Sequence, residues 1–156
     1  MTNQKTILRN EFLKLRAMQP NDSDALARIY LDARVNYFPW VKQPKLADFD
    51  LAILGEKVEI AIIDAEIVGF ASLSEWDSFL HLLFVKKGKQ SQGIGAVLLN
   101  WAREIVQQPL ELKVVTDNKD AQRFYEREEF SIVGHSNLSN PRNVTYRDDR
   151  NSKKIQ

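Results

Sequence analysis

The chain has 156 residues, 44% hydrophobic and 28% charged, with 22 Lys and Arg against 21 Asp and Glu, for a net charge of +1. These are the proportions of one globular domain with a real core, and the near-balance of charge argues against a generic nucleic-acid binder, which draws its affinity from a strong basic excess. With no cysteine and two histidines, disulfides, thiolate metal sites and cysteine nucleophiles are excluded and a histidine metal site is not expected; apolar runs of at most four residues, such as Ile60–Ile63, point away from a membrane span or signal peptide and towards the cytoplasm.

Phe12–Arg16 reads as a first strand, ended by Gln19-Pro20-Asn21-Asp22. Asp22 or Ser23 is placed to cap a helix on which Leu26, Ile29, Tyr30, Ala33 and Tyr37 recur at helical spacing. Pro39 and Pro44 interrupt the chain before a weaker helix over Lys45–Leu54, closed by Gly55. The β-branched runs Val58–Ile63 and Ile67–Leu73, joined through Asp64-Ala65-Glu66, read as a hairpin. Ser74–Ser78 is a turn into a third strand, Phe79–Val85, apolar except for His81. Gly93–Gln107 is the strongest helix, with Ile94, Val97, Leu98, Trp101 and Ile105 on one face and Pro109 at its end. A strand over Leu110–Val115, a helix over Asn118–Glu128, and strands over Phe130–Val133 and Val144–Arg147 complete the order β-α-α-β-β-β-α-β-α-β-β. This is an α/β pattern (an α+β mixed sheet): three antiparallel strands feed a β-α-β crossover, in one domain over residues 1–150 with a polar, frayed tail at 151–156.

Charge is unevenly spread. Residues 1–43, 44–77, 78–141 and 142–156 carry nets of +3, −6, +1 and +3. Lys86, Lys87 and Lys89 stand together in a stretch without acids, just before Gln90-Ser91-Gln92-Gly93-Ile94-Gly95-Ala96. A helix start offers unpaired amides and the positive end of the helix dipole, and small residues there let an anion approach the backbone. A Walker loop is ruled out because no Gly-Lys-Ser/Thr follows at the required spacing, and a dinucleotide fingerprint fails because Leu98 stands where its third glycine belongs. Two glycines at a helix start, taken alone, are explained as well by helix capping.

Val85 followed by Gln90-x-x-Gly93-x-Gly95 resembles the acyl-CoA pyrophosphate signature of the GNAT N-acetyltransferase superfamily. Asn118-x-x-Ala121-x-x-Phe124-Tyr125-Glu126, at a similar interval, resembles its second signature. The likeness is close over about 60–133 and holds in outline for the earlier helices. It implies a central sheet that splays between Phe79–Val85 and Leu110–Val115. It further implies acetyl-CoA as donor, held by Gln90, Ser91, Gln92, Gly93, Ile94, Gly95 and Ala96, by backbone groups of Phe84 and Val85, and by Asn118, Ala121 and Tyr125. Where the family has glycine before its last phenylalanine, this chain has Glu129, which suggests a differently closed helix end.

The reaction the resemblance implies is direct acetyl transfer to an uncharged amine, which a chain without cysteine suits because no covalent acyl-enzyme is needed. Tyr125 stands where the family has its general acid; by position alone it reads as a packed aromatic. Asn118 resembles the residue that bonds the pantetheine arm, and is equally a helix cap. His81 reads either as a base acting on the amine or as an inward histidine satisfied by one hydrogen bond, and His135 as exposed. Arg34, Tyr37, Phe38 and Trp40, with Trp76 in the turn before the third strand, cluster where relatives place the acceptor; Arg34, Trp40 and Trp76 are the candidates to bind it. The acidic stretch 44–77 hints at a cationic acceptor. The partners expected are a small-molecule amine or peptide N-terminus and, as one option, a second copy of the chain, with neither nucleic acid nor membrane. The rival readings are a non-catalytic acyl-CoA-binding module and an acyltransferase using a different acyl donor.

Overall fold

The computed structural model describes residues 12–37 and 41–150; Phe38, Trp40 and the tail at 151–156 lie outside them. The predicted order of elements is observed: β1 (Leu13–Ala17), α1 (Ser23–Tyr37), α2 (Asp48–Ala52), β2 (Lys57–Ile63), β3 (Glu66–Ser74), β4 (Phe79–Val85), α3 (Ile94–Ile105), β5 (Glu111–Val115), α4 (Lys119–Arg127), β6 (Phe130–Ser136) and β7 (Asn143–Asp148). The seven strands form one mixed sheet in the order β1-β2-β3-β4-β5-β7-β6. All neighbours are antiparallel except β4 and β5, which the crossover through α3 makes parallel.

Neighbouring residues of a strand point to opposite faces, and the core divides accordingly. Ile60 and Phe70 join Leu26, Ile29 and Phe49 on the face covered by α1 and α2. Ala61 and Ala71 face the other way, into a cluster with Ile94, Leu98, Leu99 and Ala102 of α3 and Tyr125 of α4. Leu98 and Leu99 are fully buried, and truncating either to alanine is worth about 2–5 kcal/mol at such a position. That burial fixes α3 against the sheet and so fixes where its N-terminus lies.

Two local expectations are corrected. Neither Asp22 nor Ser23 closes the start of α1 with its side chain: Asp22 turns back to accept from Gln19 N (2.8 Å) and pairs with Arg16 (2.7 Å), and Ser23 Oγ donates to Asp50 of α2 (2.9 Å). The end of α4 does take the left-handed turn, with Glu129 at φ 67° in the place of glycine. Tertiary bonds hold the strained residue there. Its carbonyl accepts from Asp149 N (2.9 Å), and the buried Arg103 guanidinium donates to the Glu128 carbonyl, pairs with Asp148 (3.3 Å) and stacks on Phe130 (4.5 Å).

Candidate active site

The parallel pair at the centre of the sheet is joined at only one register position, Phe79 with Glu111, beyond which β4 and β5 part. Lys86 N donates to Val68 O of β3 (2.7 Å). The alternation of an antiparallel ladder then turns the N–H and C=O of Leu83 and Val85 away from β3, towards the gap. Phe84 is turned the other way: its main chain pairs with Phe70, and its ring lies against Tyr30 (5.5 Å) and Phe70 (5.8 Å). Leu83 was invisible as a site residue in the sequence, although it lies two residues before Val85 and therefore shares its direction.

At the mouth of the gap, the loop before α3 is tied by one side chain. Gln90 accepts from Gly88 N (3.0 Å) through Oε1 and donates to Val85 O (3.4 Å) through Nε2. Gly93 is the N-cap of α3 at φ 83°, a conformation that favours glycine. Val97 N is the first amide of α3 to find a helix carbonyl, that of Gly93 (3.1 Å). The N–H groups of Ile94, Gly95 and Ala96 are therefore left to an outside acceptor. The lysine run is less isolated than its sequence suggests, because Glu66 reaches across from β3 to Lys86 (2.7 Å) and Lys89 (4.0 Å).

Two cavities meet here. One, of about 670 Å³, runs along the loop and between α3 and α4, lined by Val85, Gln90, Ser91, Gly93, Ile94, Gly95 and Ala96 on one side and Asn118, Ala121 and Tyr125 on the other. The second, of about 270 Å³, occupies the gap between β4 and β5 and holds His81 and Arg34. Leu83, Phe84, Asn118, Ala121 and Tyr125 line both. Of the residues expected to hold the donor, Gln92 alone lines neither. Asn118 caps α4, accepting from Ala121 N at 3.2 Å through Oδ1, which leaves its NH₂ group to face a ligand. Tyr125 is almost buried, its ring against Phe124 (5.0 Å), Phe130 (5.6 Å) and Tyr146 (6.1 Å). Burial pushes its hydroxyl well above the ordinary phenol range, so the group stays protonated at neutral pH.

His81 is half-exposed rather than inward. The register steps two residues on β4, Leu82 to Leu80, against one on β3, Ser72 to Leu73, so His81 is the extra residue of a β-bulge, a device that re-aims a side chain. Its Nδ1 stands 3.0 Å from Glu56 Oε1, and its ring packs edge-on against Phe79 (4.9 Å). Glu56, at the entry to β2, carries no motif that sequence reading could have found. Arg34 pairs with Asp48 (2.9 Å) and lies over Tyr30 (4.6 Å). The Asp48 carboxyl is held below its usual range by the Lys45 backbone N–H and then by Arg34. Trp76 is 96% exposed and lines none of these cavities, so the structure does not bring it to the gap. Trp40 lies outside the described residues. Several acids of 44–77 have basic or imidazole partners, among them Glu66 with Lys86, Glu56 with His81 and Asp48 with Arg34.

A mixed sheet parted at its one parallel pair, with a glycine-capped helix start at the mouth of the parting, is the fold of N-acetyltransferases. The profile of the Acetyltransferase (GNAT) family matches residues 24–130, more than half of the chain, and the chain belongs to this family. Among solved structures it is similar to a GCN5-related N-acetyltransferase from Rhodopseudomonas palustris (TM-score 0.72, 18% identity, covering 86% of this chain and 94% of that one). It is also similar to YncA of Salmonella typhimurium, a putative acetyltransferase solved with its cofactor acetyl-CoA (0.66, 18%, 87% and 92%), and to a ribosomal-protein-alanine N-acetyltransferase from Brucella melitensis (0.65, 20%, 86% and 97%). No curated protein matches the chain in sequence. The residues present fit an acyl-CoA: three free helix amides and Lys89 suit a pyrophosphate, and the narrow parting with outward amides suits an extended amide-bearing arm.

Proposed function

We propose that the chain transfers an acetyl group from acetyl-CoA directly to a primary amine, of a small molecule or a peptide N-terminus, in the cytoplasm. The observation that carries this reading is the continuity of the two cavities through Leu83, Asn118, Ala121 and Tyr125, which runs one path from the anion-binding helix start to the half-exposed His81. When bound, acetyl-CoA supplies an acyl group activated as a thioester. The amides of Ile94, Gly95 and Ala96 hold the pyrophosphate, with Gln90 keeping the loop in shape. The N–H groups of Leu83 and Val85 bind the extended arm and draw charge onto the reacting carbonyl. His81 takes the proton that a protonated amine must lose before it can attack, and Tyr125 returns a proton to the departing sulfur. Arg34 lies at the acceptor end of the path.

Thiol release with acetyl-CoA and a panel of amines tests this reading, with Tyr125→Phe as the control. Turnover on at least one amine and a large loss in the variant are expected; unchanged turnover in Tyr125→Phe removes that residue from its role. Acetyl-CoA is also expected to raise the melting temperature, since it binds the native state alone. A raised melting temperature with no turnover on any amine would instead mark a binding module, and no shift at saturation would overturn the donor.

A further inference from the structure

Glu56 has no place in the path just described, because it lines none of the cavities and its side chain is only 8% exposed. A carboxylate is stripped of water only at a cost, and it usually recovers that cost through several aligned hydrogen bonds. Glu56 lacks them: Oε1 has no aligned hydrogen bond. The groups it meets are Nδ1 of His81 at 3.0 Å and the wholly buried hydroxyl of Ser72 on β3. Burial lifts its carboxyl above the ordinary range, Asp77 in the β3–β4 turn acts in the same sense, and the His81 imidazole opposes both. On its other side, His81 faces the gap, where Lys113 of β5 and Arg34 of α1 are cations that share its cavity wall and Phe79 packs against its ring.

We infer that Glu56 is a positioning residue for the base, holding the Nδ1–H tautomer of His81 so that Nε2 is the nitrogen presented to the acceptor amine. This rests on the reading of His81 as base. The approach of Oε1 to Nδ1 at 3.0 Å carries this: a proton on the nitrogen that faces the carboxylate leaves the ring's lone pair at Nε2. The proton leaving the ammonium group binds Nε2, giving an imidazolium whose second N–H still faces the carboxylate. The amine keeps its electron pair, and the proton then passes to solvent from the half-exposed ring. Free imidazole favours the opposite tautomer, so the arrangement leaves a signature that packing alone would not. The bulge at His81 serves the same end, since a regular ladder would not set this side chain both against Glu56 and at the cavity wall.

The chain's two histidines, His81 and His135, make the test direct. In ¹⁵N NMR of the free protein, the wild type is expected to show His81 as the Nδ1–H tautomer. Glu56→Gln is expected to shift that population towards Nε2–H and to leave the exposed His135 unchanged. Nε2–H in the wild type, or identical His81 signals in Glu56→Gln, overturns the inference. With an amine that turns over, Glu56→Gln is expected to lower kcat about tenfold, leave the KM for acetyl-CoA within twofold, and move the acid limb of the pH–rate profile to lower pH. Glu56→Asp should restore part of kcat, and Glu56→Gln should add little on top of His81→Gln. An altered profile in His81→Gln with an unchanged one in Glu56→Gln sinks the positioning role alone. An unchanged profile in His81→Gln sinks the base reading and the dyad with it.

Discussion

The two ends of the path are built in different ways. The proposed donor end, from Val85 to Ala96, is one continuous stretch of chain that would bind through backbone amides, arranged by a left-handed glycine and a single glutamine. The proposed acceptor end is assembled from side chains on separate elements: Arg34 from α1, His81 from β4 and Tyr125 from α4, with Glu56, at the entry to β2, behind His81. A local arrangement of amides recognises what every member of a family must bind, a phosphate group. An assembly of distant side chains is free to change with the acceptor. The difference teaches where this chain's own chemistry lies.

The comparison can be broken at several points. The largest effect is expected where the two ends meet: Tyr125→Phe removes only the hydroxyl and should lower kcat about 100-fold, the lower range for a general acid, with the KM for acetyl-CoA nearly unchanged in steady-state kinetics. A fall of less than threefold would leave Tyr125 as packing. At the donor end, Gly93→Ala meets no steric obstacle within 4 Å but must hold φ 83°. It should destabilise the chain by about 1–2 kcal/mol and raise the KM for acetyl-CoA about tenfold, with the acceptor KM unaffected; calorimetry and kinetics read the two separately. At the acceptor end, Arg34→Ala should do the reverse, raising the acceptor KM severalfold and sparing the KM for acetyl-CoA. If both constants move together, the two ends are not separable.

How much of this was legible beforehand follows the same division. The order of elements, the crossover and the glycine-capped helix were readable because each depends on near neighbours: the periodicity of Ile94, Leu98 and Trp101, the stop at Pro109, the spacing from Gln90 to Gly95. Glu56 was not readable, since nothing in its surroundings in the chain announces a contact with His81 on a strand two elements later. Trp76 was readable as an aromatic in a turn, but not its position: the turn carries it into solvent, away from the gap. Glu129 was readable as a departure but not in its outcome, because the left-handed turn is enforced by Arg103 and Asp149, which are distant in sequence. That yields the smallest prediction, a control at neither end: Glu129→Gly should relieve the turn, raise stability by about 0.5–1 kcal/mol after the glycine's added freedom in the unfolded chain is allowed for, and leave turnover untouched. A loss of stability on denaturant unfolding would show that the Glu129 carboxylate beside Arg103 outweighs the backbone strain.

Gln90 carries a last consequence. By bonding to Gly88 and Val85 it shapes the loop before any anion arrives, so the ordering entropy of that segment is already spent in the free protein. A preformed cradle of amides makes no distinction among tetrahedral oxyanions on arrival, and inorganic pyrophosphate or sulfate should therefore compete with the donor while leaving acceptor saturation alone. Replacing Gln90 with alanine would move that ordering into the binding step, and the competition by simple salts should weaken in proportion.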